Sequence, residues 1–131
     1  LWNRGYATEA LRRAEAVGES FFWIEQAGQT AGFLAHRYHA ERNLFQLTRL
    51  YLHPDYWGRG IGSCCLSEVI RRGQEIQANR IEIYVLRTNE RAIRAYQRAG
   101  FHLDREELTD FGGGVIYDDF VMALDLGTSA I

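Results

Sequence analysis

The sequence predicts one domain of mixed α/β fold, with a mostly antiparallel central sheet and helices packed on its faces. Runs of β-branched and aromatic residues alternate with two stretches of helical periodicity. A β-rich run, a long helical repeat and a second β-rich run follow one another over residues 45–86, which indicates one parallel strand pair. At 131 residues, with 47% hydrophobic and 24% charged residues, the chain suits a single domain with a sizeable core.

The first part of the chain predicts a short helix and three strands. Residues 8–17 have a modest apolar stripe, which Thr8 can cap and Gly18 can end. Residues 21–25 and 30–38 favour strands, and the glycine turn between them predicts a hairpin. Residues 45–53 form a third strand that Pro54 ends, because proline has no N–H to donate. Short connections between the three strands predict an antiparallel meander.

The second part predicts two helices and three strands. Apolar residues recur at three- and four-residue steps from Ile61 to Ile76, which predicts a long amphipathic helix. A second helix begins at a cap of Thr88 or Asn89 and ends at Gly100. The predicted strands are residues 81–86, parallel to the 45–53 strand, and residues 101–108 and 115–124, which form a closing hairpin.

A glycine-rich turn, WGRGIGS at residues 57–63, joins the third strand to the long helix. Gly58, Gly60 and Gly62 permit positive φ and close approach of the backbone, so that successive N–H groups can converge on an anion at the helix N-terminus. This pattern predicts a site for a phosphorylated cofactor. The alternative is an ordinary glycine-rich turn that binds nothing.

Two other phosphate motifs fit poorly. A P-loop requires a lysine, and all 15 basic residues are arginine. A dinucleotide fingerprint lacks its third glycine, because Ser63 stands there. Its ribose-binding acid is also misplaced, since Glu82 lies near the start of the next strand and not at its end.

Composition bounds the partners and the compartment. A net charge of −2 and a pI near 6.1 make nucleic acid a poor candidate partner. The longest apolar run, residues 120–124, is far too short for a membrane span, and no signal pattern opens the chain. Cys64 and Cys65 are adjacent, so reduced thiols are expected in place of a disulfide, and no nearby histidine suggests a metal. We therefore expect a cytoplasmic protein without a metal.

Two signatures together resemble the GNAT superfamily of N-acetyltransferases, over about residues 21–124. The family's acetyl-CoA motif falls on residues 57–62, WGRGIG, and Trp57 stands where the family usually has Gln or Arg. The second signature has an Asn, an Ala, a Tyr and then Gly-Phe, and its members are Asn89, Ala92, Tyr96, Gly100 and Phe101. The family's first strand and first helix are not visible before Leu1. The expectation is a single acetyl-CoA-binding domain over 1–131 that lacks both.

The resemblance implies acetyl-CoA as co-substrate and a set of residues that bind it. The end of the 45–53 strand should splay and pair through its backbone with the pantetheine arm, while the amides after Arg59 should hold the pyrophosphate. Arg59 could instead be a solvated loop residue. The implied cofactor-binding residues are Leu50, Tyr51, Leu52, Trp57, Gly58, Arg59, Gly60, Ile61, Gly62, Ser63, Asn89 and Tyr96.

The resemblance also makes Tyr96 the candidate general acid. A thiolate leaves when the amine attacks the thioester, and a phenol with a pKa of about 10 can donate a proton to it at neutral pH. From sequence alone, an aromatic residue on the apolar face of a helix is more often part of the core. A backbone N–H near Leu52 could stabilise the oxyanion.

The general base is less well defined. Gln46 and Thr48 occupy the strand positions where some relatives carry a Glu or a His, and neither side chain is a base. Glu82 is the candidate, directly or through water, with Asp118 or Asp119 as alternatives from the last strand. Each of these acids could instead be only a solvated charge.

The resulting hypothesis is a cytoplasmic, acetyl-CoA-dependent N-acetyltransferase that acts by direct attack of a primary amine, either a small molecule or a peptide N-terminus. The alternative is a CoA-binding module or partner subunit without turnover, suggested by Trp57 and the missing base. No nucleic acid, membrane or metal is expected. The acceptor and the oligomeric state, a homodimer included, stay open.

Overall fold

The computed structural model describes residues 2–4, 18–110 and 112–127. Within them, seven strands form one sheet in the order β1-β2-β3-β4-β5-β7-β6. The strands are β1 Trp2–Arg4, β2 Glu19–Gln26, β3 Gln29–His39, β4 Leu44–Leu52, β5 Arg80–Leu86, β6 His102–Asp110 and β7 Ile116–Asp125. The helices are α1 Ile61–Glu75 and α2 Glu90–Arg98, and single 3₁₀ turns cover Ala40–Arg42 and Pro54–Tyr56.

The predicted topology is confirmed. β2, β3 and β4 form the antiparallel meander, β5 runs parallel to β4, and β6 and β7 form the closing hairpin. β7 lies between β5 and β6. The helix predicted at residues 8–17 lies outside the described residues. Strand β1 has three residues, which are too few to show a periodicity in the sequence. It pairs antiparallel with β2.

The core lies between the sheet and α1. The helix buries Ile61, Cys65, Leu66 and Val69, which recur at the helical spacing that the sequence showed. They pack against the buried strand residues Ile24, Leu34, Leu47, Ile81, Ile83 and Met122. Gly73 lets the helix approach β5 closely, because an added Cβ would lie 3.0 Å from the Ile81 side chain.

A β-bulge and a short parallel pairing create a gap in the middle of the sheet. Ala35 of β3 pairs with Arg49 and His36 pairs with Leu47, so Thr48 of β4 is the extra residue. β4 and β5 pair only through Leu44–Leu47 and Arg80–Ile83, although both strands continue beyond these residues. The splayed strands expected from the resemblance are therefore confirmed.

Candidate functional site

A cavity lies where β4 ends, the glycine turn begins α1, and α2 passes opposite. Its volume is about 550 Å³. Every predicted cofactor-binding residue except Arg59 lines it: Leu50, Tyr51, Leu52, Trp57, Gly58, Gly60, Ile61, Gly62, Ser63, Asn89 and Tyr96. It is also lined by six residues that the sequence did not assign to the cofactor: Tyr56, Leu66, Arg91, Ala92, Ala95 and Arg98.

The glycine turn forms a concave surface of backbone amides at the start of α1. Gly58 and Gly60 have φ of 76° and 78°, a conformation that glycine adopts without strain. Gly60 is the N-cap of α1, so the N–H groups of the first turn have no partner within the helix. A Cβ added at Gly62 would meet no protein atom within 4 Å. The turn therefore offers donors and space to an anion.

Arg59 does not take the position that was predicted for a cofactor-binding residue. Its guanidinium lies over the Tyr56 ring, 5.3 Å from the centroid, and does not line the cavity. Trp57 lines the cavity, and its indole N–H donates to the carbonyl oxygen of Leu52 at 2.8 Å. Arg91 lies over the Trp57 ring at 4.3 Å. The only sequence signal for Arg91 was its place in the first turn after Asn89.

A second cavity of about 330 Å³ occupies the gap between β4 and β5. Thr48, Arg49 and Tyr84 line this gap cavity, together with four residues that also line the larger one: Leu50, Tyr51, Asn89 and Tyr96. The two cavities therefore meet beside Tyr96. Burial raises the pKa of the Tyr84 phenol, and its hydrogen bond to Glu107 raises it further.

Tyr96 is buried on α2 where the two cavities meet. Tyr96 is 6% exposed, and the centroid of its ring lies 6.3 Å from the centroid of the Phe101 ring. Burial raises the pKa of Tyr96 to about 12. The phenol therefore stays protonated at neutral pH and can donate a proton. Asn89 accepts a hydrogen bond from the Ala92 amide at 3.3 Å, so Asn89 and not Thr88 caps α2.

The structure does not bring Glu82 to either cavity, contrary to the sequence expectation. Glu82 is 5% exposed, and its carboxylate accepts two hydrogen bonds from Arg105, at 3.2 and 3.3 Å. It also accepts one from Arg80 at 3.4 Å. The carboxylate is thus occupied by two guanidinium groups on β5 and β6. This arrangement is typical of a buried ion pair that holds strands together, and it argues against Glu82 as the base.

The two alternative acids also lie away from the cavities. Asp118 accepts a hydrogen bond from Arg87 at 2.9 Å. Asp119 is 9% exposed, and burial raises the pKa of its carboxyl, with the charges of Asp118 and Glu107 acting in the same direction. Neither residue lines the cavity that holds Thr48 or the one that holds the glycine turn.

Another carboxylate, that of Glu19, is linked to the gap cavity by the hydroxyl of the bulge residue Thr48. The Thr48 hydroxyl donates to Glu19 at 2.8 Å and lies 3.1 Å from the carbonyl oxygen of Ala35. The Glu19 side chain, on β2, is 12% exposed and also accepts from Arg49 at 3.0 Å. Sequence reasoning missed this contact because it spans 29 residues and depends on the bulge.

The described residues include no cluster of three or more His, Cys, Asp or Glu side chains placed to hold a metal ion. Neither α1 nor α2 has the length and apolar character of a membrane-spanning helix.

Comparison with known proteins gives this geometry a family. The mycothiol acetyltransferase of Acidimicrobium ferrooxidans is 35% identical over 91 residues, 67% of this chain and 29% of the relative. An uncharacterized N-acetyltransferase of Methanocaldococcus jannaschii is 29% identical over 105 residues, 76% of this chain and 45% of the relative. This chain therefore spans less than half the length of these curated relatives. An acetyltransferase of Bacillus subtilis in complex with CoA shares the fold, with a TM-score of 0.75 at 14% identity, over 95% of this chain and 97% of that one. Because the family model described as acetyltransferase (GNAT) family matches residues 2–101, this chain belongs to the GNAT acetyltransferases.

Proposed function

We propose that this chain is an acetyl-CoA-dependent N-acetyltransferase that moves the acetyl group directly to a primary amine. The observation that carries the proposal is the meeting of two cavities beside Tyr96, one next to the glycine turn and one in the gap between β4 and β5. The first suits a phosphorylated donor, and the second suits an acceptor. The CoA in the Bacillus subtilis relative supports this choice of donor.

The donor binds through backbone groups on two elements. The first-turn amides of α1 hold the pyrophosphate, because they point to the cavity from the positive end of the helix dipole. Beyond Leu47, the edge of β4 that faces β5 has no strand partner, so its N–H and C=O groups are available to the pantetheine amides. An N–H of the same edge can stabilise the oxyanion at the thioester carbonyl.

Tyr96 acts as the general acid. The neutral amine attacks the thioester carbonyl carbon and the C–N bond forms. The nitrogen, now positively charged, loses a proton to the Thr48 hydroxyl, and the carbon–sulfur bond then breaks. The departing thiolate takes the Tyr96 proton, and solvent returns a proton to the phenolate. A pKa of about 12 keeps Tyr96 protonated before each turnover.

Thr48 and Glu19 supply the base. The nitrogen of the attacking amine in the gap cavity can give its proton to the Thr48 oxygen while the Thr48 proton passes to the Glu19 carboxylate, from which solvent takes it. This relay provides a carboxylate where β4 itself carries none. It also replaces Glu82, which lines neither cavity.

The acceptor class stays broad: a small-molecule amine or a peptide N-terminus. One relative is named mycothiol acetyltransferase, and this name contains that of a thiol compound. Amines that carry a thiol therefore belong in any acceptor panel. A cytoplasmic location is part of the proposal. It is supported by Cys64 and Cys65, which are adjacent and are not joined by a disulfide bond in the structure.

Two measurements test the proposal. Saturating acetyl-CoA should raise the melting temperature of the purified chain while NAD leaves it unchanged, because a ligand specific for the native state stabilises it. Mass spectrometry should then find acetylated products in a library of primary amines. A shift with NAD alone would refute the donor assignment. Binding of acetyl-CoA without any acetylated product would favour the alternative, a CoA-binding module without turnover.

A further inference from the structure

The stacked pair of Trp57 and Arg91 occupies the place where the acetyl-CoA motif of this chain departs from its family. Trp57 replaces the Gln or Arg that usually begins the motif. Its indole N–H is used by the Leu52 carbonyl oxygen, at 2.8 Å, so it cannot also donate to a ligand. The ring face instead carries Arg91, whose guanidinium carbon lies 4.3 Å from the centroid. The motif position thus holds a cation through a side chain 34 residues away.

Arg91 is placed to contact an anion in the larger cavity. It lines that cavity together with Gly58, Gly60 and Gly62. Of the other two arginines on α2, Arg98 also lines the cavity, whereas Arg94 pairs with Glu90 at 3.8 Å and does not line it. Among the ion pairs of the described residues, none includes Arg91. The guanidinium therefore brings positive charge to the cavity that no described carboxylate neutralises.

We propose that Arg91 binds a phosphate group of CoA, and that Trp57 is a positioning residue that holds its guanidinium beside the glycine turn. A guanidinium that lies over an aromatic ring keeps its N–H groups free at the edge, where they can donate two parallel hydrogen bonds to a phosphate. The hydrogen bond from Trp57 to Leu52 fixes the ring to the end of β4. The inference rests on the proposed function, because it assumes that CoA fills this cavity.

The chemistry is that of any phosphate group in reach, and CoA contains a pyrophosphate and a 3′-phosphate. Dephospho-CoA, which lacks the 3′-phosphate, distinguishes them. If Arg91 binds the 3′-phosphate, Arg91→Gln should lower the affinity for CoA and leave the affinity for dephospho-CoA unchanged. If it binds the pyrophosphate, both ligands should weaken by the same factor.

Isothermal titration of CoA into the whole chain tests the assignment. Arg91→Gln should lower the affinity about 10- to 100-fold, which is the usual loss for a hydrogen bond between charged groups. The decrease of affinity with added salt should also become less steep, because one charge no longer takes part. Arg94→Gln is the matched control on the same helix, and it should bind CoA as the unaltered chain does.

The role of Trp57 needs a second pair of variants. Trp57→Leu removes the ring and should lower CoA affinity about 2- to 5-fold, whereas Trp57→Phe keeps a ring face and should lose less. Trp57→Leu added to Arg91→Gln should cause little further loss if the two residues act together. Thermal unfolding of each variant separates loss of binding from loss of folding.

The outcomes are distinct from those that test the proposed function. If the unaltered chain binds no CoA, the proposed function and this inference both fail. If it binds CoA and folded Arg91→Gln binds equally well, Arg91 has no phosphate contact and only this inference is overturned. Equal losses for Arg91→Gln and Arg94→Gln would also overturn it, because they would indicate only the overall charge of α2.

Discussion

Tyr96→Phe is the sharpest test of the proposed acid, because it removes one oxygen atom and leaves the ring. The ring is buried and lies 6.3 Å from Phe101, so nearly all of its packing is retained. The free energy of unfolding should change by no more than about 1 kcal/mol. The Tyr96 hydroxyl, by contrast, is the group proposed to protonate the thiolate.

We expect kcat to fall about 10²- to 10⁴-fold, the usual contribution of a positioned acid, which corresponds to roughly 2.7 to 5.4 kcal/mol in activation free energy. The dissociation constant of acetyl-CoA should stay nearly unchanged, because the lost interaction is made in the transition state. The assay is release of free CoA thiol on an acceptor verified by mass spectrometry. Tyr38→Phe is the control, since Tyr38 is exposed and lines neither cavity.

The pH dependence gives a second readout. The pKa of Tyr96 is raised from 10.0 to about 12, so its proton should be lost only as the pH approaches 12. A raised pKa in the folded state also means that the contribution of Tyr96 to stability is fully present below pH 10 and is lost as the pH rises through 12. Folded Tyr96→Phe with unaltered kcat would refute the reasoning and return Tyr96 to a purely structural role.

Three further predictions concern the cradle and the base. Gly62→Val should lower CoA affinity at least about tenfold with little change in folding, because a Cβ added at Gly62 has open space around it and valine is no worse than glycine in a helix; unchanged affinity by calorimetry would move the phosphate site elsewhere. Thr48→Val and Glu19→Gln should each lower kcat about 10²-fold, while Thr48→Ser keeps a hydroxyl and most of the rate; a fully active Thr48→Val enzyme would exclude the relay. Glu82→Gln should lower the free energy of unfolding by about 1 to 3 kcal/mol in urea titrations, because it removes a buried carboxylate from two partly exposed guanidinium groups that keep Asp104 as a partner, with kcat of the folded enzyme retained; wild-type stability with lost turnover would restore Glu82 as the base.

Local signals predicted the elements well. Periodicity and end signals located both helices and the six strands from β2 to β7, with differences of one or two residues at most ends. The strand predicted at residues 45–53, for example, ends at Leu52 and not at His53. The His53 side chain instead accepts a hydrogen bond from the Asp55 N–H at the start of a 3₁₀ turn. Such ends depend on a single hydrogen bond, which composition does not indicate.

Contacts across the sheet could not be predicted. Glu82 had the right chemistry for a base, but its environment depends on the register that brings Arg105 beside it. The hydrogen bond from Thr48 to Glu19 and the stacking of Arg91 on Trp57 likewise join residues about thirty positions apart. The motif located the backbone of the site, whereas these side-chain partners became evident only from the tertiary structure.

The interrupted pairing of β4 and β5 lowers the stability of the ligand-free protein. Four residue pairs connect the two halves of the sheet, and beyond them β4 and β5 do not pair with each other. Each backbone hydrogen bond forgone there would have contributed about 0.5 to 1.5 kcal/mol. If acetyl-CoA fills the gap between β4 and β5, the bound donor connects the two halves of the sheet. The lifetime of the protein in a cell would then follow the supply of its own substrate.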